Sequence, residues 1–418
     1  MLLNEKNNNI QKLYILLIFT LPFYTIEVMG FSIKEIIIFT ILGLYLFLFV
    51  KNYNVTLNKN QILILLFILL FFLSSILSLL NAPSISLSFR TSISILNIFF
   101  LVFITFLVIK KTKMLFTIIK ILYIVTVLVS LLGILQIIFY EIFGLYIGGA
   151  LGYPYILPTS LRATGAFNNP NLYGFFLHLG YSISLTSLLL YRKIRVLSYK
   201  FRNILFCHLI ILFALIASGS KGAFFSLIIS SSIIIILILI KKKILPLILI
   251  LSTIPLVWVL INIDLLYSLI FKEDGNENER FLLWSYTFKM FEEKPLLGYG
   301  MNSFRIINNI DVIPHNLYFQ TLSENGLVGI LILILIFITC ITYLLIVCKK
   351  SNYDEYFLIA LALLGGLSGM LVHSVSLSSI NNTMLWIVIA LCVNLYLIFK
   401  EERVKKNEKS TDLSRSTD

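Results

Sequence analysis

The sequence predicts an all-α protein: a polytopic membrane helix bundle of about twelve transmembrane helices with a long helical outer loop. Three observations predict it. The chain is 59% hydrophobic and 13% charged, with a mean hydropathy of +0.97, a balance foreign to soluble domains. Its apolar residues gather in runs of roughly 17–25, the length that crosses a hydrocarbon core as a helix. Leu, Ile and Phe fill those runs without alternation, which favours helices over a barrel.

The first run, 12–29, lacks a small-residue cleavage site and is followed by more spans, so it reads as a retained helix. Further runs cover 32–50, 61–80, 91–109, 114–139, 170–191, 203–218, 222–240, 244–262, 326–348, 356–374 and 380–399. Residues 1–400 therefore form one transmembrane domain, including an outer loop at 263–325. The polar residues 401–418 read as a disordered cytoplasmic tail. Cys207, Cys340, Cys348 and Cys392 lie in apolar runs without metal-ligand or disulfide spacing and read as small hydrophobes.

The net charge of +13 is spread over short loops, the pattern of topology determinants rather than of nucleic-acid binding. Lys110, Lys111 and Lys113 share one side with Arg192, Lys193, Arg195, Lys200 and Arg202 when spans alternate. Lys241 to Lys243, Lys349, Lys350, Lys400, Arg403, Lys405 and Lys406 fall there too. That side is expected to be cytoplasmic, with both termini on it.

The opposite face carries two long segments, about 141–169 and 263–325. Loops of such length are commonly functional or disordered. Within the second, Phe281, Trp284, Phe288 and Phe291 recur at helical spacing, with Arg280, Lys289, Glu292 and Glu293 off that stripe and Pro295 ending the helix. This helix either lies in the membrane interface or packs on the bundle as a lid.

Outer-face cations run against the positive-inside bias, so each is informative. Arg162 precedes Phe167-Asn168-Asn169-Pro170-Asn171. Lys221 sits in Ser218-Gly219-Ser220-Lys221-Gly222, a tight reversal between spans whose backbone amides can approach a ligand. For either residue alone, snorkelling to headgroups is the commoner explanation. Arg280 starts a helix beside an aromatic stripe and reads as functional; Arg90 and Arg305 stay undecided. His315, after Pro314, is the His of the outer loops and can take a proton from a hydroxyl. His178, His208 and His373 fall in or at the edge of spans, where a His is more often a packed structural residue. Gln320 and Glu324 form an i,i+4 pair, and Gly326 and Gly329 read as positions of close helix packing.

His315-Asn316, followed by Gly326 and Gly329, resembles the signature of the O-antigen ligase and O-antigen polymerase superfamily. Phe167-Asn168-Asn169-Pro170-Asn171 resembles that family's Asn-Pro-Asn segment. Ser218-Gly219-Ser220-Lys221-Gly222-Ala223 sits where it has Ser-Arg-Gly, with Lys221 replacing the usual Arg and losing its bidentate geometry. Arg280 with Trp284, then Pro295-Leu296-Leu297-Gly298-Tyr299-Gly300, resembles the stretch before the His motif. The resemblance covers roughly residues 166–330 by motif.

What the resemblance implies is a metal-independent, cofactor-free membrane glycosyltransferase of GT-C-like architecture. Its donor would be a glycan on a polyprenyl diphosphate, and its acceptor a saccharide or lipid-linked saccharide hydroxyl. It would sit in the bacterial plasma membrane with its site on the outer face. His315 would be the base. Arg280, Arg162 and Lys221 would hold the diphosphate, supported by Asn316, Glu324 and Asn169. A lipid-linked oligosaccharide flippase is the rival reading, but such carriers need ionisable residues near the midplane. Here the spans after the second hold almost none, Lys120 excepted. The acceptor, and with it the choice of polymerase or ligase, stays open.

Overall fold

The computed structural model describes residues 2–23, 27–28, 31–50, 56–144, 156–157, 160–193, 197, 199–242, 277–310, 312–352 and 354–415. The expected span at 244–262 lies outside them. The helices are α1 (Leu2–Thr20), α2 (Ile33–Val50), α3 (Lys59–Leu77), α4 (Ile85–Val108), α5 (Thr112–Phe143), α6 (Pro170–Leu189), α7 (Phe201–Ala217) and α8 (Lys221–Lys241). After the outer loop begins come α9 (Glu277–Glu293), α10 (Phe304–Ile307), α11 (Leu317–Lys350), α12 (Glu355–His373) and α13 (Thr383–Arg415). The described residues also form two short antiparallel pairs, β1 (Glu27–Val28) with β2 (Phe31–Ser32) and β3 (Ile156–Leu157) with β4 (Ser160–Leu161), and 3-10 turns at Leu21–Phe23 and Ser78–Asn81. Among the described residues, eight helices are long and apolar enough to cross a membrane, and Phe201–Ala217 is a shorter apolar one.

The centre of the bundle is α6, α12 and α13, the most enclosed helices, while α3, α8 and α11 leave much of their apolar surface outward. α12 packs on α6 and α8 through Gly365, Gly366 and Gly369, which meet Ile234, Leu179 and His178. Small residues of this kind let helices approach closely where lipid offers no hydrophobic drive for association. Buried polar pairs tie the bundle across its depth: Gln61 Nε2 donates to Asn394 Oδ1 at 3.0 Å, and Asn394 Nδ2 donates to the Thr105 carbonyl at 3.2 Å. Such bonds between membrane helices contribute about 0.6 kcal/mol each.

Alternation sorts the chain into two ends. One holds Lys110, Lys111, Lys113, Lys200 and Lys241, with Lys241 Nζ donating to the carbonyls of Cys348 and Ser351 at the end of α11. The other gathers the ends of α3, α7 and α12 with the starts of α4, α6, α8, α11 and α13. Every candidate site residue lies at this second end.

Three elements differ from expectation. α13 continues through the segment expected to be disordered, as far as Arg415. Glu and Lys there are good helix formers, and the Thr112 hydroxyl donates to Glu402 and holds its first turn to the bundle. In α9 the buried line is Leu283, Thr287 and Met290, while Phe281 and Phe288 stay half exposed. The large aromatic residues marked a neighbouring stripe, because Phe304 supplies the partner for Leu283 and Met290. Gly326 does not merely pack: it breaks α11, with φ 64° and ψ −164°.

Candidate functional site

Two structural devices build the site end, and His315 sits where they meet. The first is the break in α11. A helix interrupted at Gly326 strands backbone groups on both sides, and these must find partners. The segment Pro295-Leu296-Leu297-Gly298-Tyr299-Gly300 supplies them. Tyr299 N and Gly300 N donate to the carbonyls of Ser323 and Glu324 at 3.1 and 2.8 Å. Leu327 N and Val328 N donate to the carbonyls of Pro295 and Leu296 at 2.8 and 3.2 Å. The two backbones touch so closely that a Cβ at Gly326 would lie 2.3 Å from the Leu296 oxygen. One at Gly298 would lie 2.4 Å from the Glu324 carbonyl carbon. Asn81 Nδ2, at the end of α3, donates to the Gly298 carbonyl at 2.9 Å and anchors the junction to the bundle.

The short first part of α11 starts at a cap. Asn316, 2% exposed, accepts from the amides of Tyr318 and Phe319 through Oδ1 at 3.0 and 3.1 Å. Leu317 N donates to the Ser374 carbonyl at 2.8 Å, fixing the cap against the end of α12. His315 precedes the cap in a left-handed conformation, φ 49°. α9 closes over it. Trp284 Nε1 donates to the Pro314 carbonyl at 3.2 Å, and Trp284 and Phe288 pack edge-on to Phe319 with centroids 5.3 and 5.0 Å apart. The helix packs on α11, with Phe281, Leu282 and Phe288 half exposed. His315 is half buried, and its pKa lies below the ordinary 6.5. Burial is the main cause, and the positive charges of Arg280 and Arg305 push the same way. A neutral imidazole beside two guanidinium groups can accept a proton at neutral pH.

The second device is the turn between α7 and α8. Ser220 caps α8, accepting from Ala223 N at 3.3 Å, so Lys221 opens the helix at its positive end. Arg162 Nε donates to the Ser218 carbonyl at 2.8 Å and Nη2 to Asn171 Oδ1 at 3.2 Å. Arg162 is thus brought to the turn, with part of its guanidinium committed to holding it. Asn169 caps α6, accepting from Asn171 N at 2.7 Å, with Pro170 in the first helical position. Ser220 Oγ also bonds His373 Nε2 at 3.2 Å, and His373 Nδ1 bonds His178 Nε2 at 3.2 Å. Both imidazoles are fully buried. The expectation that span histidines are packed and hydrogen-bonded holds, yet this pair fixes the turn that carries Lys221. Its sequence separation of 195 residues hid it.

The structure therefore brings Arg280, Arg305 and His315 together, and Arg162, Asn169 and Lys221 together. The two groups join through the end of α12, where His373 meets Ser220 and Ser374 meets Leu317. Glu324, buried, bonds Gln320 through Nε2–Oε2 at 3.2 Å, the i,i+4 pair expected. Arg305, undecided from sequence, acts on both His315 and Glu324.

The chain is thus a polytopic helical membrane protein that holds an imidazole beside two guanidinium groups at one bundle end. Residues 206–334 match the family model described as O-antigen ligase. The match supports the O-antigen ligase and polymerase superfamily for this chain, a group of membrane glycosyltransferases. It takes in the turn at Ser218–Lys221, α9, the backbone junction and His315. No curated protein is significantly similar to the chain.

Proposed function

We propose that the protein moves an oligo- or polysaccharide from a polyprenyl diphosphate to a saccharide hydroxyl, as a polymerase of O-antigen, capsule or exopolysaccharide or as an O-antigen ligase. The observation that carries this reading is a half-buried His315 beside Arg280 and Arg305, inside the segment that matches the family. The acceptor O–H proton passes to the His315 imidazole as the oxygen attacks the anomeric carbon. The new C–O bond forms, the bond to the diphosphate breaks, and the lipid diphosphate leaves with the electron pair. His315 then returns its proton to solvent. Attack opposite the leaving group inverts the anomeric configuration. Arg280, Lys221 and Arg162 meet the charge on the diphosphate, so the step needs no metal.

The experiment is reconstitution of the full chain in vesicles with a polyprenyl-diphosphate-linked glycan. Saccharide-dependent release of lipid diphosphate, with matching growth of glycan, is expected. Transport of the lipid-linked glycan across the bilayer with no release would make the protein a carrier instead.

The reading also fixes orientation: the Lys-rich end and both termini face the cytoplasm, and His315 faces outward. In a Cys-free background, a Cys at Asn309 should react with an impermeant maleimide in intact cells, and one at Lys406 only after permeabilisation. The reverse pattern would put the site on the cytoplasmic side and end the assignment.

A further inference from the structure

The loop that carries His315 contributes Ile313 to the wall of a cavity of about 310 Å³, at the small end of the range for ligand sites. Its polar lining is Thr91, Asn302, Arg305, Gln320, Glu324 and Asn381. Met301, Ile313 and Ile380 give it apolar patches. Ile313 is two residues from His315, and Arg305 acts on both His315 and Glu324. The loop after α12 divides the two compartments. Ser376 lies against Gly222 on the Lys221 side, while Ser378 lines the cavity on the other.

The lining residues include two buried polar atoms without a hydrogen-bond partner, Gln320 Oε1 and Ser378 Oγ. Glu324 is 2% exposed; its Oε2 is engaged by Gln320 Nε2, and the amides of Asn302 and Phe304 face the carboxyl group. Orphaned groups of this kind are rare in folded proteins and call for an occupant. The lining mixes carboxylate, amides and hydroxyls with small apolar patches. That matches a sugar ring, which presents hydroxyls at its rim and C–H bonds on its face. One carboxyl and one guanidinium among amides and hydroxyls suit the alternating donors and acceptors of a neutral polyol.

We infer that this cavity is the subsite for the terminal sugar of the acceptor glycan, with Glu324 accepting hydrogen bonds from ring hydroxyls next to the one that attacks. The inference rests on the transfer reading above and adds where the acceptor sits and what recognises it.

The test uses the full chain in nanodiscs, with its four native cysteines replaced by Ala and Asn381→Cys introduced. Asn381 is exposed at the cavity rim. The rate of labelling by a charged maleimide is measured with phenyl glycosides of glucose, galactose, mannose and N-acetylglucosamine. At least one sugar should slow labelling several-fold. Glu324→Gln keeps shape but replaces one acceptor oxygen by a donor, and should raise the protecting concentration several-fold, the loss of one hydrogen bond. Gln320→Leu, which removes no charge, should weaken protection in the same direction. Absence of protection by every glycoside, or equal protection in Glu324→Gln, overturns the subsite. Lipid diphosphate release by the wild-type protein is measured alongside. Release without protection sinks the subsite alone, whereas no release sinks the transfer reading.

Discussion

The two sides of His315 are built differently. Toward Lys221, side chains do the fixing: Arg162 clamps the Ser218 carbonyl, and the chain His178–His373–Ser220 holds the cap of α8. Toward Glu324, backbone does it, through four main-chain hydrogen bonds between 295–300 and 323–328. The first side is cationic, and the second sets one buried carboxyl and the Arg305 guanidinium among amides and hydroxyls. A charged leaving group requires cations that stay in place when charge develops. A neutral, hydroxylated partner requires a rigid frame of acceptors and donors whose spacing does not drift. The contrast predicts that changes on one side alter donor handling and changes on the other alter acceptor handling, with His315 serving both.

The largest effect should fall on the residue shared by both sides. His315→Ala should lower the rate about 10²–10⁴-fold, the range for loss of a general base. His315→Gln keeps a hydrogen-bonding group and cannot act as the base, so it should be nearly as slow. Wild-type-like transfer by the Gln variant would reduce His315 to a positioning residue. The pH profile sharpens the point. The neutral imidazole is the active form and its pKa is depressed, so activity should hold through pH 6.5 and fall only below it. Arg280→Ala removes one cause of that depression and should move the acid limb upward, toward 6.5.

The backbone-built side should be broken next by Gly326→Ala. The φ and ψ at Gly326 lie in a region that only Gly occupies without strain, and a side chain there costs about 1–3 kcal/mol before any clash. The added methyl would meet the Leu296 oxygen as well. Lower thermal stability, with hydrogen exchange rising at 295–300 and 323–328 and not at the α8 cap, is the expected pattern. Uniform loss across both sides would mean that they are not separate units.

Next to His315, Arg280→Ala should cost at least tenfold in rate, since a charge-assisted bond to phosphate contributes about 1.5–3 kcal/mol. Arg280→Lys should recover part of it, because charge stays and the fork is lost. Initial rates at varied donor check this. An unchanged donor dependence in Arg280→Ala would leave the residue as a tuner of His315 alone.

How much of this the sequence carried depends on the range of the contacts. Spans were readable because burial in lipid acts on every residue of a run. Arg280, Pro295–Gly300 and His315 were readable as motifs on one stretch of chain. The sequence did not show that Gly298 lies against the Glu324 backbone and Gly326 against that of Leu296, because Gly326 is followed by an unbroken apolar run that reads as continuous helix. Nor did it show His373 on Ser220, a contact across 153 residues. A His at a span's edge gives no local sign of its partner. The aromatic stripe of α9 was readable and packs on Phe319 through Trp284 and Phe288, whereas the adjacent pair Leu283 and Met290, which packs with Phe304, was not.

The smallest effect is also the most selective. Ser220→Ala removes the cap of α8 and the partner of His373 Nε2. Loss of a Ser cap costs about 0.5–2 kcal/mol, so the rate should fall a few-fold to tenfold or so. The direction of the loss matters more than its size. Ser220 touches neither the cavity nor α9, and its work is to hold Lys221 at the positive end of the helix. The apparent donor KM should therefore rise while the acceptor KM stays put. Ser220→Thr keeps the hydroxyl and should restore the cap and the bond to His373. A merely structural role would lower the amount of folded protein and leave both KM values of the folded fraction unchanged. Equal changes in donor and acceptor KM, or no rescue by Thr, would show that the two sides of His315 are mechanically one.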